Sequence, residues 1–243
     1  PAIIFSVLGA RIYYVVFSWD YYKNHLNELL NIRQGGIAIY GAVIGGFLTL
    51  LVFCKIRKQN FFLISDIAVL GLLVGQIMGR WGNFTNREVF GHYTDSLFAM
   101  RLPIEAVRSA DITSDIAAHV TDGINYIQVH PTFLYESVLN LLLLIVLLLY
   151  TKHKKFNGEI ALGYLGGYGI IRFFVEGIRT DQLKIGSTGI AVSQLLGMVL
   201  FIAAILTDVI VRIYRRKKGL QEMPQKAAVV QNKAENDEKQ DEK

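Results

Sequence analysis

Six long apolar runs, each close to the length that crosses a bilayer as a helix, constrain this sequence more than any other feature. A hydrocarbon core of ~30 Å requires about 20 apolar residues in a helix. The candidate spans lie at 1–18, 35–54, 62–79, 132–150, 158–176 and 188–211. The chain is 19% charged with a mean hydropathy of +0.36, whereas soluble domains are about 25% charged. The sequence therefore predicts an all-α polytopic membrane protein, a helical bundle of about six spans.

Basic residues are concentrated at 55–58, 152–155 and 212–218, directly after the second, fourth and sixth runs. Positive residues favour cytoplasmic loops, so these three segments are predicted to be cytoplasmic. The long connections 19–34 and 80–131 are then extracytoplasmic. Because the net charge of +5 lies in clusters beside apolar runs, the bilayer is the predicted partner and nucleic acid is not.

The ends of the sequence differ from its apolar body. The chain begins at Pro1 inside an apolar run and without Met, so we expect its true N-terminus to be missing, together with a signal segment or a first span. Residues 219–243 are polar and of mixed charge, which predicts a disordered cytoplasmic tail. Residues 1–218 form the predicted transmembrane bundle. The connection 80–131 is long enough for a structure of its own, with a strand or helix at 99–108.

Four polar segments, distant in sequence, are predicted to lie at one depth, the outer leaflet and its interface. They are the start of the second run near Tyr40, and residues 79–91, 130–136 and 172–181. Ionisable residues at that depth are costly and indicate function. The topology therefore predicts a functional site on the extracytoplasmic side.

The residue types in these segments suit an anionic ligand. Arg172, Glu176 and Arg179 are spaced i, i+4 and i+7, on one helical face, so Glu176 can pair with either arginine. A guanidinium held in this way suits a phosphodiester. Arg80 lies between two glycines that leave space for a ligand.

Further polar groups accompany the arginines. Asn83 and Asn86 share a face and can donate amide hydrogen bonds, and Glu88 supplies a carboxylate. His130 precedes Pro131 at the start of the fourth run, with a tyrosine and a glutamate about one turn further on. The five histidines are dispersed and the chain has one cysteine, so we predict no metal site and no cofactor.

Structural interpretations compete with these functional ones. The Arg172–Glu176 pair can serve to orient helices, and Arg11 can anchor the first run. His130 can act as a helix cap or an interface residue, and Asp66 can cap a helix or reach the interface. Two other functions also remain open, a transporter for an anionic solute and a non-catalytic scaffold.

The segment GRWGNFTNREVFG at 79–91 resembles the signature of the prolipoprotein diacylglyceryl transferase family, G-R-x-G-N-F-x-N-x-E-x-x-G. GGIAIYGAVIGG, HPTFLYE and YGIIRFFVEGIRTD are similar to three further family segments, in the same order. GARIYYVVF resembles the family's Arg-x-x-Tyr span. The likeness covers about residues 9–200.

This resemblance implies a bacterial plasma-membrane enzyme with seven spans and an extracytoplasmic active site. It implies transfer of the diacylglyceryl group of phosphatidylglycerol to the lipobox cysteine of a prolipoprotein, with release of glycerol phosphate. The expected catalytic residues are Arg80, Arg172, Tyr40, His130 and Glu88. The expected substrate-binding residues are Arg80, Asn83, Asn86, Glu176, Arg179 and Tyr13.

The identity of the base that deprotonates the substrate thiol stays open. Many family members have His where this chain has Tyr40. Tyrosine is a poor base at a reference pKa of ~10, so we expect Tyr40 to hydrogen-bond the phosphate instead. His130 or Glu88 can accept the proton.

Overall fold

The computed structural model describes residues 2–32, 35–120, 123–186 and 189–220. Nearly all of the predicted tail therefore lies outside the described residues. The described chain is mostly helical, as predicted. Its helices are α1 (Ala2–Phe17), α2 (Trp19–Tyr22), α3 (Ile39–Ile56), α4 (Phe61–Asn86), α5 (Ser114–Ala118), α6 (Thr132–Tyr150), α7 (Glu159–Ile178) and α8 (Val192–Lys217).

A helix forms in each of the six apolar runs, and four of these helices are long and apolar enough to cross a membrane. These four are α3, α4, α6 extended to His153, and α8. Helix α1 is apolar but shorter. Helix α7 is rich in glycine and carries Arg172 and Glu176, which lower its hydropathy. The fold is that of a helical membrane protein, and the count of six spans stays a prediction.

Helix α4 is longer than the sequence predicts. The third apolar run ends at residue 79, whereas the helix continues through Asn86. It ends where Arg87 adopts a φ of 55°, a left-handed conformation that commonly terminates helices. The predicted loop 80–131 is therefore wrong at its start, because its first seven positions belong to the helix.

The described chain divides into two compact units, Pro1–Ser65 and Asp66–Lys243. In the first unit, α1 packs closely on α3. A Cβ atom added at Gly9 would lie 2.5 Å from the carbonyl oxygen of Gly41, so only small residues allow this approach. Small residues allow this close approach of two apolar helices, and the placement of the glycine-rich runs inside the bundle stays a prediction.

Arg11 stabilises the segment that follows α2 in the first unit. Its buried guanidinium donates to the backbone carbonyls of Leu29 at 2.8 Å, Gly36 at 2.7 Å and Glu28 at 2.6 Å. These bonds satisfy the charge with backbone acceptors, which confirms that Arg11 acts as a structural anchor.

In the second unit, α7 lies between α6 and α8. A Cβ atom at Gly169 would lie 2.5 Å from the carbonyl oxygen of Gly197 in α8, and the reverse distance is also 2.5 Å. The helical core of this unit comprises Leu73, Leu144, Leu147, Ile160 and Tyr164. This core brings α4, α6 and α7 together.

Residues 87–131, here called the arm, connect α4 to α6 and form a small structure of their own. Strands β1 (Met100–Pro103) and β2 (Tyr126–Val129) pair antiparallel, with Met100 opposite Val129 and Pro103 opposite Tyr126. The core of the arm comprises Phe90, Leu102, Val107, Ile116, Ile127 and Val129. The strand expected within 99–108 is therefore confirmed.

A set of ion pairs lies at the beginning of α7, and two of its carboxylates, Asp66 and Glu159, are buried. We call it the start cluster, and its members are Asp66, Tyr150, Lys154, Glu159, Asp208 and Arg212. The Asp66 carboxylate accepts from the backbone N–H groups of Gly158 and Ala161, each at 2.9 Å, and pairs with Lys154 at 3.2 Å. Asp66 thus caps a helix, as one of the two sequence interpretations proposed, but the helix is α7 rather than its own.

Candidate active site

The last turns of α4 present a chain of polar contacts that begins at Arg80. Its Nη1 donates to Asn83 Oδ1 at 3.3 Å. The side-chain amides of Asn83 and Asn86 both donate to Glu88 Oε1, at 3.3 and 3.1 Å. The two asparagines therefore share a face, as their spacing predicts, and they connect Arg80 to Glu88.

The turn that carries Glu88 has an unusual backbone. Arg87 and Val89 on either side of it have φ angles of 55° and 61°. A β-branched residue such as valine rarely adopts this conformation, and each such residue costs of order 1–3 kcal/mol. The hydroxyl of Thr132 donates to the Val89 carbonyl and holds the turn in place. The strain directs the Glu88 carboxylate back to the end of α4.

Glu136 of α6 is the centre of the site. It is 1% exposed, and its two oxygens bridge two arginines from different helices. Arg80 Nη2 lies 3.0 Å from Oε1, and Arg172 Nη1 lies 3.3 Å from Oε2. The Tyr168 hydroxyl donates to Oε1 at 3.4 Å. One carboxylate therefore fixes the separation and orientation of both guanidiniums.

The end of α7 extends this network. Arg172 Nη2 lies 2.5 Å from Glu176 Oε2, and Arg179 Nη1 lies 3.5 Å from the same oxygen. The pairing of Glu176 with both arginines follows the sequence prediction. The predicted single helical face is wrong for Arg179, because α7 ends at Ile178 and the Arg179 backbone is extended.

We call this network the end cluster. Its members are Arg80, Glu136, Arg172, Glu176, Arg179 and Asp181. Arg179 also makes two bonds to Asp181, at 2.9 and 2.7 Å. Burial opposes ionisation of Asp181, but the Arg179 guanidinium holds the pKa of that carboxyl below its ordinary value. Three guanidiniums therefore face three carboxylates.

Gly91 joins the arm to the helix ends on either side. Its N–H donates to the His130 carbonyl at 3.0 Å, and the next residue, His92, donates to the Ile178 carbonyl at 3.0 Å. A Cβ atom at Gly91 would lie 2.8 Å from the His130 Cβ and 2.9 Å from the Ile178 oxygen. Glycine is required here because the backbones of three segments meet.

The chain is similar to known proteins over most of its length. The prolipoprotein diacylglyceryl transferase family matches residues 1–210. The chain belongs to this family. The phosphatidylglycerol–prolipoprotein diacylglyceryl transferase of Listeria monocytogenes serotype 4b is 44% identical over 217 residues, covering 89% of this chain and 73% of that protein. The enzyme of the same name from Lactobacillus acidophilus is 45% identical over 218 residues, covering 89% and 72%. That from Finegoldia magna is 40% identical over 209 residues, covering 86% and 75%.

The motif of the diacylglyceryl transferase family maps onto connected parts of the site. Arg80 is a member of the end cluster, and Glu88 accepts hydrogen bonds from the two asparagines of the motif. Glu136 was missed, since the sequence suggested no role for it. An isolated carboxylate in an otherwise apolar helix is the signal that indicates it.

His130 lies at the base of the arm, where its Nδ1 is 3.1 Å from the Tyr135 hydroxyl. Burial, and then the charge of His92, lower its pKa from the ordinary value of 6.5. The alternative that His130 caps α6 is wrong. The N-cap residue is Pro131, and Thr132 makes the contact that joins the helix start to the arm.

Tyr13 and Tyr40 belong to the first unit. Their ring centroids are 6.3 Å apart, and the Tyr40 side chain is exposed. Tyr13 stacks on Phe17 at 4.4 Å. The substrate roles expected of both tyrosines stay predictions. Within the described ranges, no group of three or more His, Cys, Asp or Glu residues is arranged to hold a metal ion.

Proposed function

We propose that this chain transfers the diacylglyceryl group of phosphatidylglycerol to the lipobox cysteine thiol of prolipoproteins. The substrate S–H bond breaks and a thioether S–C bond forms at the glycerol carbon. The C–O bond to the phosphate breaks, and glycerol phosphate leaves. This is the activity named for the relatives, and it is the first step of bacterial lipoprotein maturation.

The observation that carries the proposal is the Arg80–Glu136–Arg172 bridge. A guanidinium has five N–H donors, and the bonds to Glu136 and Glu176 engage only part of this set in Arg172. The remaining donors can bind phosphate oxygens and stabilise the charge that develops on the leaving group. In this proposal, Arg80 and Arg172 bind the phosphate. Glu176 and Arg179 orient Arg172.

The other residues of the motif serve the substrates. Asn83 and Asn86 bind the lipid headgroup or hold the Glu88 turn. Tyr40 hydrogen-bonds the phosphate, and Tyr13 contacts the lipid. Since the nucleophile belongs to the prolipoprotein, the buried Cys54 has no part in the reaction.

The thiol proton goes to His130 or to Glu88. A free thiol has a pKa of ~8.5, so an acceptor and a positive field both help to form the thiolate. The lowered pKa of His130 keeps its imidazole neutral and able to accept a proton. Glu88 is a carboxylate acceptor that Asn83 connects to Arg80.

The membrane arrangement is part of the same proposal. Six spans cross the bacterial plasma membrane within residues 1–218, and the end cluster lies at its extracytoplasmic face. The basic segments and the C-terminus are cytoplasmic, following the charge bias of the loops. The lipid keeps its acyl chains in the bilayer, and the prolipoprotein signal helix brings its cysteine to the same depth. Proximity then supplies much of the rate.

The test is an assay with labelled phosphatidylglycerol and a lipobox peptide, using the full chain in vesicles. Arg80→Ala and Arg172→Lys are compared with Arg108→Ala, whose exposed arginine pairs with Asp111 in the arm. We expect a loss of roughly 10²–10³-fold for the first two and none for the control. Normal transfer by both site variants would contradict the phosphate role. Folded wild type without transferase activity would favour the scaffold, and uptake of an anionic solute would favour the transporter.

A further inference from the structure

The arm has an apolar turn on its surface. Residues 96–99 form a β-turn in which the Ala99 N–H donates to the Ser96 carbonyl at 2.9 Å. Its two central residues are Leu97, which is 93% exposed, and Phe98, which is 64% exposed. Glycine, asparagine, aspartate, serine and proline usually occupy such positions. Two large apolar side chains at these positions depart from the usual turn residues, and they make up no part of the arm's own core.

These two residues are exceptional within the arm. In the described ranges 87–120 and 123–131, they are the only large apolar side chains that are exposed. The other large apolar residues in these ranges are buried or partly buried, and most of them pack around the arm's own core. The arm is therefore an ordinary small folded unit except at this turn.

The register of the sheet shows which end of the arm carries the turn. The chain leaves the turn at Met100, which pairs with Val129, and Tyr93 before the turn also pairs with Val129. Two residues separate Val129 from Thr132, where α6 begins. The opposite end of the sheet is Pro103 with Tyr126. The turn therefore lies at the end of the arm from which a candidate membrane span starts.

We propose that the turn inserts Leu97 and Phe98 into the interface of the lipid bilayer and holds the arm on the membrane surface. Leucine and phenylalanine suit the boundary between headgroups and acyl chains. The polar Asp95 and Ser96 precede them and remain in the headgroup region. The inference goes beyond the proposed reaction and needs only that α6 crosses the membrane.

A lipid surface fits this patch better than a protein partner does. A stable protein interface buries about 800 Å² on each side, and two side chains on one turn supply only a small part of that area. A bilayer accepts a small apolar projection without a matching pocket. The position beside the start of α6 makes the bilayer the nearest apolar phase.

Depth-dependent quenching of a fluorescent label tests the proposal on the full chain in phospholipid vesicles. Cys54→Ala removes the one native cysteine, which is buried. Leu97→Cys then carries an environment-sensitive fluorophore. Ser109→Cys is the matched control, because Ser109 is exposed and follows the distal end of β1. The quenchers are lipids with spin labels on their acyl chains, and aqueous iodide.

We expect blue-shifted emission at Leu97→Cys, several-fold stronger lipid quenching than at Ser109→Cys, and weaker iodide quenching. Equal quenching at the two positions would overturn the proposal. A blue shift that requires added lipobox peptide would also overturn it and would make the turn a peptide contact. Phe98→Cys, with Leu97 retained, repeats the measurement if the first variant folds poorly. The quenching measurement does not depend on transferase activity. A chain without this activity would therefore still test whether the turn lies in the bilayer.

Discussion

The two ends of α7 both bury arginine–carboxylate pairs, but the carboxylates have different partners. In the start cluster, Asp66 accepts from two backbone N–H groups at the beginning of α7. Glu159 likewise accepts from the backbone N–H groups of Lys155 and Phe156, and it pairs with Arg212. The two Asp66 bonds satisfy donors that every helix start leaves open, and the Glu159 bonds hold the segment that leads into α7. The start cluster is therefore part of the fold itself.

In the end cluster, the carboxylates face side chains. Glu136 is contacted by Arg80, Arg172 and Tyr168, and Glu176 by Arg172 and Arg179. A guanidinium that is held by side chains can offer its remaining donors to a phosphate without unfolding a helix turn. In the proposed function the end cluster binds the substrate phosphate, whereas the backbone bonds of Asp66 and Glu159 make the start cluster structural.

The largest expected effect on lipid transfer comes from removing an arginine at one end of α7, and an arginine at the other end serves as the contrast. Arg172→Ala should lower the rate of lipid transfer by roughly 10²–10³-fold, about 3–4 kcal/mol of transition-state stabilisation. Arg212→Ala removes a guanidinium that pairs with Glu159 and Asp208. It should lower the thermal midpoint and leave the rate per folded molecule unchanged. Activity and melting of both variants are measured in the same detergent. Equal loss of activity in Arg172→Ala and Arg212→Ala would contradict the different roles of the end cluster and the start cluster.

Asp66→Asn tests the start cluster directly. The amide keeps the shape but loses the charge that pairs with Lys154, and it presents one acceptor oxygen where Asp66 uses two. Breaking a buried pair costs about 3–5 kcal/mol, so we expect a lower thermal midpoint. The rate per folded molecule should stay at the wild-type value. Lys154→Met is the control that removes the other partner. A stable Asp66→Asn protein with reduced transfer would assign Asp66 to the reaction.

Glu136→Gln tests whether the bridge positions the arginines. The Glu136 carboxylate places a negative charge beside the phosphate site, so its loss should lower KM for the anionic lipid. The guanidiniums also lose their fixed orientation, and kcat should fall by about tenfold, which is ~1.4 kcal/mol. Glu136→Asp restores the charge at a shorter reach and should recover part of kcat. A fall in stability with both constants unchanged would leave Glu136 a purely structural residue.

Sequence reasoning found the parts of the site that depend on local spacing. Arg172 and Glu176 pair because residues four apart on a helix are neighbours, and Asn83 and Asn86 share a face for the same kind of reason. The apolar runs similarly located the six main helices. Local periodicity carries this information without knowledge of how the helices pack.

The remaining features depend on contacts between distant segments. Glu136 joins Arg80 to Arg172 only because α4, α6 and α7 converge, and no spacing along one helix encodes that meeting. Asp66 caps a helix that begins 93 positions later. The left-handed Val89 opposes its own conformational preference, so a local rule cannot predict it. Tertiary packing decides these positions.

The smallest expected effect concerns His130, and pH separates its role from that of Glu88. Burial and the charge of His92 lower the pKa of His130. If neutral His130 accepts the thiol proton, the transfer rate should rise with pH up to this pKa, below 6.5, and His130→Gln should abolish that rise. If Glu88 is the acceptor, His130→Gln should leave the pH profile of the transfer rate as it is in the wild type.

Folding must be followed at the same pH values. The unfolded imidazole has the higher pKa, so it binds protons more strongly than the folded one. The stability contributed by His130 is therefore present above the unfolded pKa and is lost as pH falls through the folded pKa. If the thermal midpoint stays constant over the pH range in which the transfer rate falls, the fall in rate is assigned to catalysis. A parallel fall of both quantities would assign it to unfolding and contradict the acceptor role.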